Sequence, residues 1–253
     1  MNMLEAEGLA IGYRHRPVGE GIDLALDAGE VLCLLGPNGG GKTTLFRTLL
    51  GILPPLAGAV RVAGRALSDW SRQALAKQLA YVPQSHAGLF AFTVEEVVLM
   101  GRTARLPRFS TPSARDREMA RACLARLGIG HLAERIYTEI SGGERQLALI
   151  ARALAQEAAV LILDEPTASL DFGNQLRVLK EIDALKRQGL AILMSTHQPE
   201  HALRAADRIA LLKAGRIVGQ GPRALATADR LAELYGADAG DVARSLPQLA
   251  GAS

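Results

Sequence analysis

The 253-residue chain has little of what marks several specialised classes of protein. Its two cysteines, Cys33 and Cys123, lie far apart and outside any CxxC pattern or Cys/His cluster. The sequence therefore predicts neither a disulfide framework nor a structural zinc site, and we expect two reduced, largely buried thiols. The basic excess is also small, with a net charge of +3, and does not by itself support a nucleic-acid partner.

Long apolar runs are missing as well. The longest, at residues 160–163 and 190–194, have the length of β-strands, so we expect no membrane-spanning helix. The N-terminal segment carries Glu5 and Glu7 and has no basic region ahead of an apolar stretch, so we expect no signal peptide. The sequence thus predicts that any role at a membrane is played on its cytoplasmic face, through a partner.

Strand–helix–strand alternation predicts an α/β fold with a largely parallel sheet covered by helices. The middle of the chain has a helical pattern instead, from residue 93 to residue 155, broken at 107–112 and 141–143. We therefore predict one α/β core with a helical insertion. The other predicted elements are strands at residues 4–11, 22–26, 31–35, 59–62, 80–83, 160–163, 191–195 and 208–212, and helices at residues 42–51, 68–79 and 173–187.

A glycine-rich loop separates a predicted strand from a predicted helix. Its residues fit the pattern G-x-x-x-x-G-K-[ST] and are Gly36-Pro37-Asn38-Gly39-Gly40-Gly41-Lys42-Thr43. Glycines let backbone N–H groups turn towards phosphate oxygens, and the following helix adds its N-terminal dipole. Lys42 would reach the β- and γ-phosphates, and Thr43 would bind Mg²⁺. The alternative is a turn that only opens a helix, but the strand before it and the helix after it favour nucleotide binding.

An apolar strand at residues 160–163 ends in two carboxylates, Asp164 and Glu165. Parallel strands end at one edge of a sheet, so both side chains are expected beside the glycine-rich loop. Asp164 would hold Mg²⁺, and Glu165 would orient or deprotonate the attacking water. The alternative is an acidic strand end that caps a helix; together with the loop, the nucleotide interpretation is favoured.

The segment Ile140-Ser141-Gly142-Gly143-Glu144-Arg145-Gln146 opens a further predicted helix, with Ser141 as its N-cap. Its position shortly before the acidic strand resembles the signature motif, usually LSGGQ, of the ABC-transporter ATPases. The resemblance extends over residues 4–236. It departs at Glu144, where the family usually has glutamine, and at Ile140, where it usually has leucine. Neither change removes the phosphate contacts expected from Ser141 and Gly143.

The resemblance implies further roles, residue by residue. Tyr13 matches the ring that stacks on adenine, although a strand-end tyrosine can also be structural. Gln84 matches the glutamine that contacts Mg²⁺ and water, and His197 matches the histidine that reaches the γ-phosphate. Asp171 is the last residue of a segment, residues 168–171, that matches the loop contacting the opposite subunit. The implied sets are Lys42, Gln84, Glu165 and His197 for catalysis; Thr43, Gln84 and Asp164 for the metal; and Tyr13, Gly36, Pro37, Asn38, Gly39, Gly40, Gly41, Lys42, Thr43, Thr44, Ser141, Gly142, Gly143 and Asp171 for ATP.

The family also implies an architecture. We expect a P-loop (RecA-like) core with a mixed, mostly parallel sheet, an N-terminal antiparallel β part and a helical insertion subdomain. The chain would be a single ABC ATPase domain, residues 1–253. Its core would comprise residues 1–84 and 156–236, its helical subdomain residues 85–155 and a loose tail residues 237–253. Two copies would dimerise head-to-tail on ATP, with Ser141 and Gly143 of one facing Lys42 and Glu165 of the other.

The segment after Gln84 resembles importer subunits for iron–siderophore complexes, haem, cobalamin and molybdate. There a many-span permease would dock, with Phe90 and Phe92 as anchors or, alternatively, as core aromatics. Residues 101–135 hold eight arginines against three acids, which would face anionic headgroups or an acidic permease, or form a solvated helical face.

We favour a metal chelate as the substrate. A molybdate or tungstate importer is the alternative, followed by an export or mechanotransmission ATPase. As an importer subunit, the chain would lie peripherally on the cytoplasmic face of the inner membrane. It would depend indirectly on a periplasmic or surface substrate-binding protein.

Overall fold

The computed structural model describes residues 2–84, 91–107 and 110–246. The strands are β1 (Asn2–Tyr13), β2 (Arg16–Asp27), β3 (Val31–Leu35), β4 (Ala57–Val62), β5 (Arg65–Ala66), β6 (Leu79–Val82), β7 (Val160–Asp164), β8 (Ala191–Thr196), β9 (Arg208–Lys213) and β10 (Arg216–Pro222). The helices are α1 (Lys42–Leu49), α2 (Arg72–Ala76), α3 (Val94–Leu99), α4 (Ala114–Arg126), α5 (Gly142–Ala155), α6 (Phe172–Arg187), α7 (Pro199–Ala205), α8 (Ala228–Tyr235) and α9 (Ala239–Ser245). Within these described ranges, no helix has both the length and the apolar character needed to cross a membrane.

A six-stranded sheet in the order β10-β9-β3-β8-β7-β6 forms the centre of the fold, and all its pairings are parallel except that of β10 with β9. Strand β3 is apolar at every position because both faces of the sheet are covered. The register places Asp164 beside Ser195 and Leu35 beside Thr196. Strands β3, β7 and β8 therefore end at one edge, where the glycine-rich loop begins.

The two faces of the sheet bury different layers. A four-stranded antiparallel sheet, β2-β1-β4-β5, packs with α1 over one face, where Leu32 and Leu34 of β3 meet Phe46. Val31 and Cys33 of β3 point to the other face, which is covered by helices including the insertion. The predicted α/β fold, with its antiparallel β part and helical insertion, is confirmed. The predicted domain boundaries stay a prediction.

The insertion helices α3, α4 and α5 each start at a capping box. Thr93, Ser113 and Ser141 accept a hydrogen bond from the backbone N–H three residues on, and the acidic side chain at that third position accepts one from the backbone N–H of the cap residue. These boxes explain why the helical pattern breaks before residues 114 and 142. Phe92, one candidate permease anchor, is 40% exposed and so is not a core aromatic, while Phe90 lies outside the described residues.

Two predicted elements differ from the structure. The helix predicted at residues 68–79 is a short 3-10 turn followed by α2, because Trp70 is extended and Ser71 caps a new start by accepting from the Ala74 N–H. The tail from residue 237 is not loose as far as it is described. Asp238 caps α9, and the buried side chain of Leu246 joins the core. One helix cap and one buried apolar side chain therefore hold the described part of the expected loose tail.

The arginine excess of residues 101–135 is partly offset by acidic residues elsewhere in the chain. Arg102 is buried and binds Asp116 (Nε–Oδ1 2.9 Å), Glu157 (Nη1–Oε2 2.5 Å) and the carbonyl oxygen of Ala155 (2.7 Å). The exposed Arg121 pairs with the buried Glu95 at 2.9 Å. Since Glu95 and Glu157 lie outside the segment, counting charge within it overstated the positive surface.

We expect the substitution Arg102→Met to lower the free energy of unfolding by about 2–4 kcal/mol, because buried Asp116 and the Ala155 carbonyl would lose their donor. The matched control is Arg187→Met, which breaks an exposed helical pair with Asp183 and should cost about 0.5 kcal/mol or less. Urea unfolding of both variants is the measurement. Equal losses would show that the Arg102 cluster does not hold the insertion together.

Candidate active site

The glycine-rich loop closes tightly over the end of β3. An added Cβ at Gly36 would lie 2.2 Å from the carbonyl oxygen of Leu212, so only glycine fits there. Gly41, with a φ of +102°, occupies the N-cap position of α1 and provides no side-chain cap. The first N–H groups of α1 are therefore left for a ligand, and the helix dipole favours an anion at that point.

Lys42 turns back into the loop that precedes it. Its buried ammonium donates to the carbonyl oxygens of Gly36 (2.8 Å) and Pro37 (3.1 Å) and pairs with Glu165 (Nζ–Oε1 3.2 Å). A phosphate placed over the loop would thus meet a cation that is already held in position.

Asp164 is held by hydroxyl groups from three different elements. Its Oδ2 accepts from Thr43 (2.7 Å) and from Tyr81 (3.4 Å), and its Oδ1 accepts from Ser195 (2.7 Å). Burial, with a smaller contribution from the Asp164 charge, raises the pKa of Tyr81 well above its usual range, so its hydroxyl remains a donor. The sequence analysis missed Tyr81 and Ser195. The strand register was the signal for Ser195, because it pairs with Asp164 on the neighbouring strand.

Glu165 has a backbone conformation that non-glycine residues rarely adopt, with a φ of +50°. Such strain persists only where the surroundings hold it, and here the side chain has three partners. Besides Lys42, its carboxylate contacts His197 (Oε2–Nδ1 2.7 Å) and Gln84 (Oε2–Nε2 3.3 Å). The four residues predicted for catalysis are therefore brought together around one carboxylate.

A cavity of about 610 Å³ opens above this cluster. Tyr13, the predicted adenine-stacking residue, is 47% exposed and lines it together with Lys42 and Glu165. The cavity also includes Arg16 and Val18, which sequence analysis missed; both follow Tyr13 closely in the β1–β2 turn region. Its lining residues are Tyr13, Arg16, Pro17, Val18, Asn38, Gly39, Gly40, Gly41, Lys42, Thr43, Thr44, Gln84 and Glu165.

The signature residues lie outside that cavity lining. Ser141 and Gly142 are exposed at the start of α5, and an added Cβ at Gly143 would lie 3.6 Å from the carbonyl oxygen of Ser169. Glu144 closes the capping box: its carboxylate accepts from the Ser141 N–H (2.8 Å), and this hydrogen bond lowers the pKa of Glu144. A carboxylate therefore performs the capping at the position where glutamine is usual.

Asp171, predicted to bind nucleotide, has both carboxylate oxygens engaged within its own chain. They accept from the backbone N–H (2.9 Å) and the side-chain amide (2.8 Å) of Asn174, and Asp171 thereby caps α6. The backbone hydrogen bond from Asn174 is the main cause that lowers the pKa of Asp171. Next to it, Phe172 is 73% exposed. The start of α6 is thus capped and exposed, and the loop before it lies beside the signature segment.

Comparison with known proteins identifies the family. The profile of the ABC transporter family matches residues 20–168, which is more than half of the chain. The chain belongs to the ABC transporter family. It is 47% identical over 234 residues to an uncharacterized ABC transporter ATP-binding protein of Haemophilus influenzae, a match that covers 92% of this chain and 89% of that protein.

A second relative is the hemin import ATP-binding protein HmuV of Nocardia farcinica, 41% identical over 239 residues, with 92% of this chain and 82% of that protein covered. Others are named as iron(3+)-hydroxamate and cobalamin import ATP-binding proteins. A solved structure described as a metal-chelate type ABC transporter in an inward-facing conformation superposes with a TM-score of 0.82 at 34% identity, covering 93% of this chain and 90% of that one. The chain is an ATP-binding subunit of an ABC transporter, and its activity is ATP hydrolysis.

We expect Glu165→Gln to reduce ATP turnover by at least about 100-fold, because an amide cannot accept the proton of an attacking water. ATP binding should persist, since the amide keeps an oxygen towards Lys42. Steady-state phosphate release and nucleotide binding are the measurements. The control is Glu20→Gln, an exposed carboxylate that pairs with Arg216. Turnover of Glu165→Gln at the unmodified rate would remove Glu165 from the water-activating role.

Proposed function

We propose that the chain drives the uptake of a metal chelate, of the iron–siderophore, haem or cobalamin type, through a separate permease at the cytoplasmic face of the cell membrane. The observation on which this proposal rests is the Glu165 carboxylate, which contacts Lys42, His197 and Gln84 beside a cavity of about 610 Å³. That arrangement supports ATP hydrolysis. The substrate class is supported by the printed names of the relatives.

ATP would lie along the cavity from Tyr13 to the start of α1. Adenine would stack on the exposed Tyr13 ring, since stacking needs little more than an open aromatic face. The triphosphate would accept hydrogen bonds from the N–H groups of the loop and of Lys42, Thr43 and Thr44. The Lys42 ammonium would then exchange its contacts with the Gly36 and Pro37 carbonyls for phosphate oxygens.

The residues beside the phosphates fit Mg²⁺, because Thr43 Oγ1 and an Asp164 carboxylate oxygen lie only 2.7 Å apart and hard cations take oxygen ligands. Gln84 would complete the protein contacts. When bound there, Mg²⁺ would neutralise negative charge on the β- and γ-phosphates. Ser195 and Tyr81 fix the Asp164 carboxylate in place for this purpose.

Glu165 would accept a proton from the water that attacks the γ-phosphate. His197 Nδ1 donates to the Glu165 carboxylate, so Nε2 would donate to a γ-phosphate oxygen only when both ring nitrogens carry a hydrogen. Gln84 joins the core to the insertion and touches the same carboxylate, so its contact provides a link between ATP and the helices that follow.

The proposed dimer is head-to-tail. One chain surrounds the γ-phosphate with Lys42 and its loop, and the developing charge calls for further donors. The exposed N-terminus of α5, with Ser141 and Gly143, would supply them from the second copy. ATP would then hold the two copies together, and its hydrolysis would release them.

Ser141→Arg should abolish ATP-dependent dimerisation while changing nucleotide affinity of the monomer by less than about three-fold, because the bulky cation would block the face of α5. Ser113→Arg is the matched control: it removes the same kind of capping box at the start of α4, at an exposed position away from the proposed interface. Size-exclusion chromatography with ATP in a Glu165→Gln background is the measurement. Loss of dimer in both variants would mean that helix capping, and not a contact across the interface, was disturbed.

A groove of about 800 Å³ between α2 and the 3-10 segment Met100–Arg105 is the proposed seat for a short helix of the permease. Met100 is 41% exposed on it, and the adaptable thioether side chain suits a helix in a groove. Core and insertion are joined there by Gln73, whose Nε2 donates to the carbonyl oxygen of Ala104 at 3.2 Å. Gln156, directly after α5, donates from Nε2 to the carbonyl oxygen of Leu79 at 2.7 Å. A helix that docks in the groove and shifts would therefore act on both the core and the insertion.

The tagged chain, purified from gently solubilised native membranes, should bring down a many-span permease. Met100→Glu should reduce recovery by about ten-fold or more because a charge would be buried against the docked helix, while basal ATPase stays within about two-fold. Val218→Glu, at a 55% exposed apolar position on β10, is the control.

The recovered complex then tests the substrate. Stimulation of its ATPase by a metal chelate together with the cognate binding protein supports the proposal. Stimulation by molybdate or tungstate instead would show that the substrate is an oxyanion. Recovery of a membrane protein with few spans would instead support a function in export or mechanotransmission. A nucleic-acid enzyme in its place would overturn the transport role.

A further inference from the structure

Helix α8 reaches the active site through one side chain that no family motif in the sequence analysis accounted for. The hydroxyl of Tyr235 donates a hydrogen bond to the backbone carbonyl oxygen of His197, over 3.1 Å. His197 is the residue whose Nδ1 lies 2.7 Å from Glu165. Two successive hydrogen bonds thus connect Tyr235 of α8, through His197, to the carboxylate of Glu165.

Helix α8, which carries Tyr235, is itself fixed to the rest of the protein. Leu231 and Leu234 of α8 are buried in the main core, and Gly236 ends the helix directly after Tyr235 in a left-handed conformation with a φ of +68°. Lys213 of β9 donates to the carbonyl oxygen of Glu233 at 2.6 Å and fastens the end of the helix to the sheet. The phenol is therefore held in place before it meets His197.

His197, by contrast, lies in a short connection. Only His197 and Gln198 join the end of β8 to the start of α7, and Thr196 Oγ1 accepts from the Gln198 N–H at 3.0 Å. The carbonyl and the imidazole of His197 share one Cα, so a contact that holds the carbonyl restrains the backbone from which the ring projects. Burial is the main cause that raises the pKa of Tyr235, which keeps its hydroxyl protonated as a donor.

We propose that Tyr235 is a positioning residue for ATP hydrolysis: its hydroxyl fixes the His197 peptide so that the imidazole meets Glu165 and the γ-phosphate in the reactive geometry. The inference rests on the proposed roles of Glu165 and His197. Through α8, residues 228–235 would thus set the rate of hydrolysis without touching nucleotide. A small misplacement of a catalytic group is enough to slow a reaction strongly.

Tyr235→Phe removes the hydroxyl and keeps the ring. We expect kcat for ATP to fall roughly five- to ten-fold, as the loss of one neutral hydrogen bond predicts, while KM changes by less than about two-fold. Tyr137→Phe is the matched control, because within the described residues the buried Tyr137 hydroxyl has no hydrogen-bond partner. An unchanged kcat in Tyr235→Phe, or an equal fall in both variants, would overturn the proposal.

A double-mutant cycle with His197→Ala separates positioning from general support. If Tyr235 acts through His197, Tyr235→Phe should change single-turnover hydrolysis by less than about two-fold once the imidazole is gone. A full further loss in that background would show a merely structural role. If His197→Ala itself leaves hydrolysis unchanged, the proposed role of His197 fails, which is distinct from a normal His197 effect with no effect of Tyr235.

The side-chain ¹⁵N resonances of His197 give a readout that does not depend on turnover. Tyr235→Phe should shift them in the nucleotide-free protein because the ring changes its contact with Glu165, and Tyr137→Phe should not. Resonances that stay unshifted in Tyr235→Phe would contradict the inference even if kcat falls.

Discussion

The buried ion pair between Lys42 and Glu165 is the interaction on which the other parts of the active site depend. Both side chains are more than nine-tenths buried, so each charge requires the other. Apolar side chains of similar volume would give at least equal stability at such a position. The pair, together with the strained backbone of Glu165, fits the proposed roles of the two residues: a cation for phosphate and a base for water, both held in place without nucleotide.

The parallel sheet is what makes this preparation possible. Strands β3, β7 and β8 end at one edge, and each contributes a different group there: the glycine-rich loop, the two carboxylates, and Ser195 with His197. Because the strands are neighbours, hydrogen bonds such as Ser195 to Asp164 run directly across the sheet. Helices on both faces bury the strands, and this burial makes the edge rigid.

Local sequence patterns were sufficient to predict the loop, the acidic strand end and the helix start at Ser141, because each depends on a few consecutive residues. They failed for groups that meet only in three dimensions. Tyr81 and Tyr235 reach the active site from other strands and helices, and no short pattern links them to Asp164 or His197. The same reason explains the arginine-rich segment, because some of its charges are paired with acids elsewhere in the chain, such as Glu95.

The helix starts at Ser113 and Ser141 show why a local motif does not define a role. Both have the same capping box, yet the acid of the first, Asp116, is buried against Arg102 and ties α4 into the insertion. At the second, Ser141 and Gly142 remain exposed beside the loop of Ser169. Through Asp116 and Arg102 the start of α4 stabilises the insertion, whereas the start of α5, exposed beside the Ser169 loop, is what the proposed pairing of two copies over ATP requires.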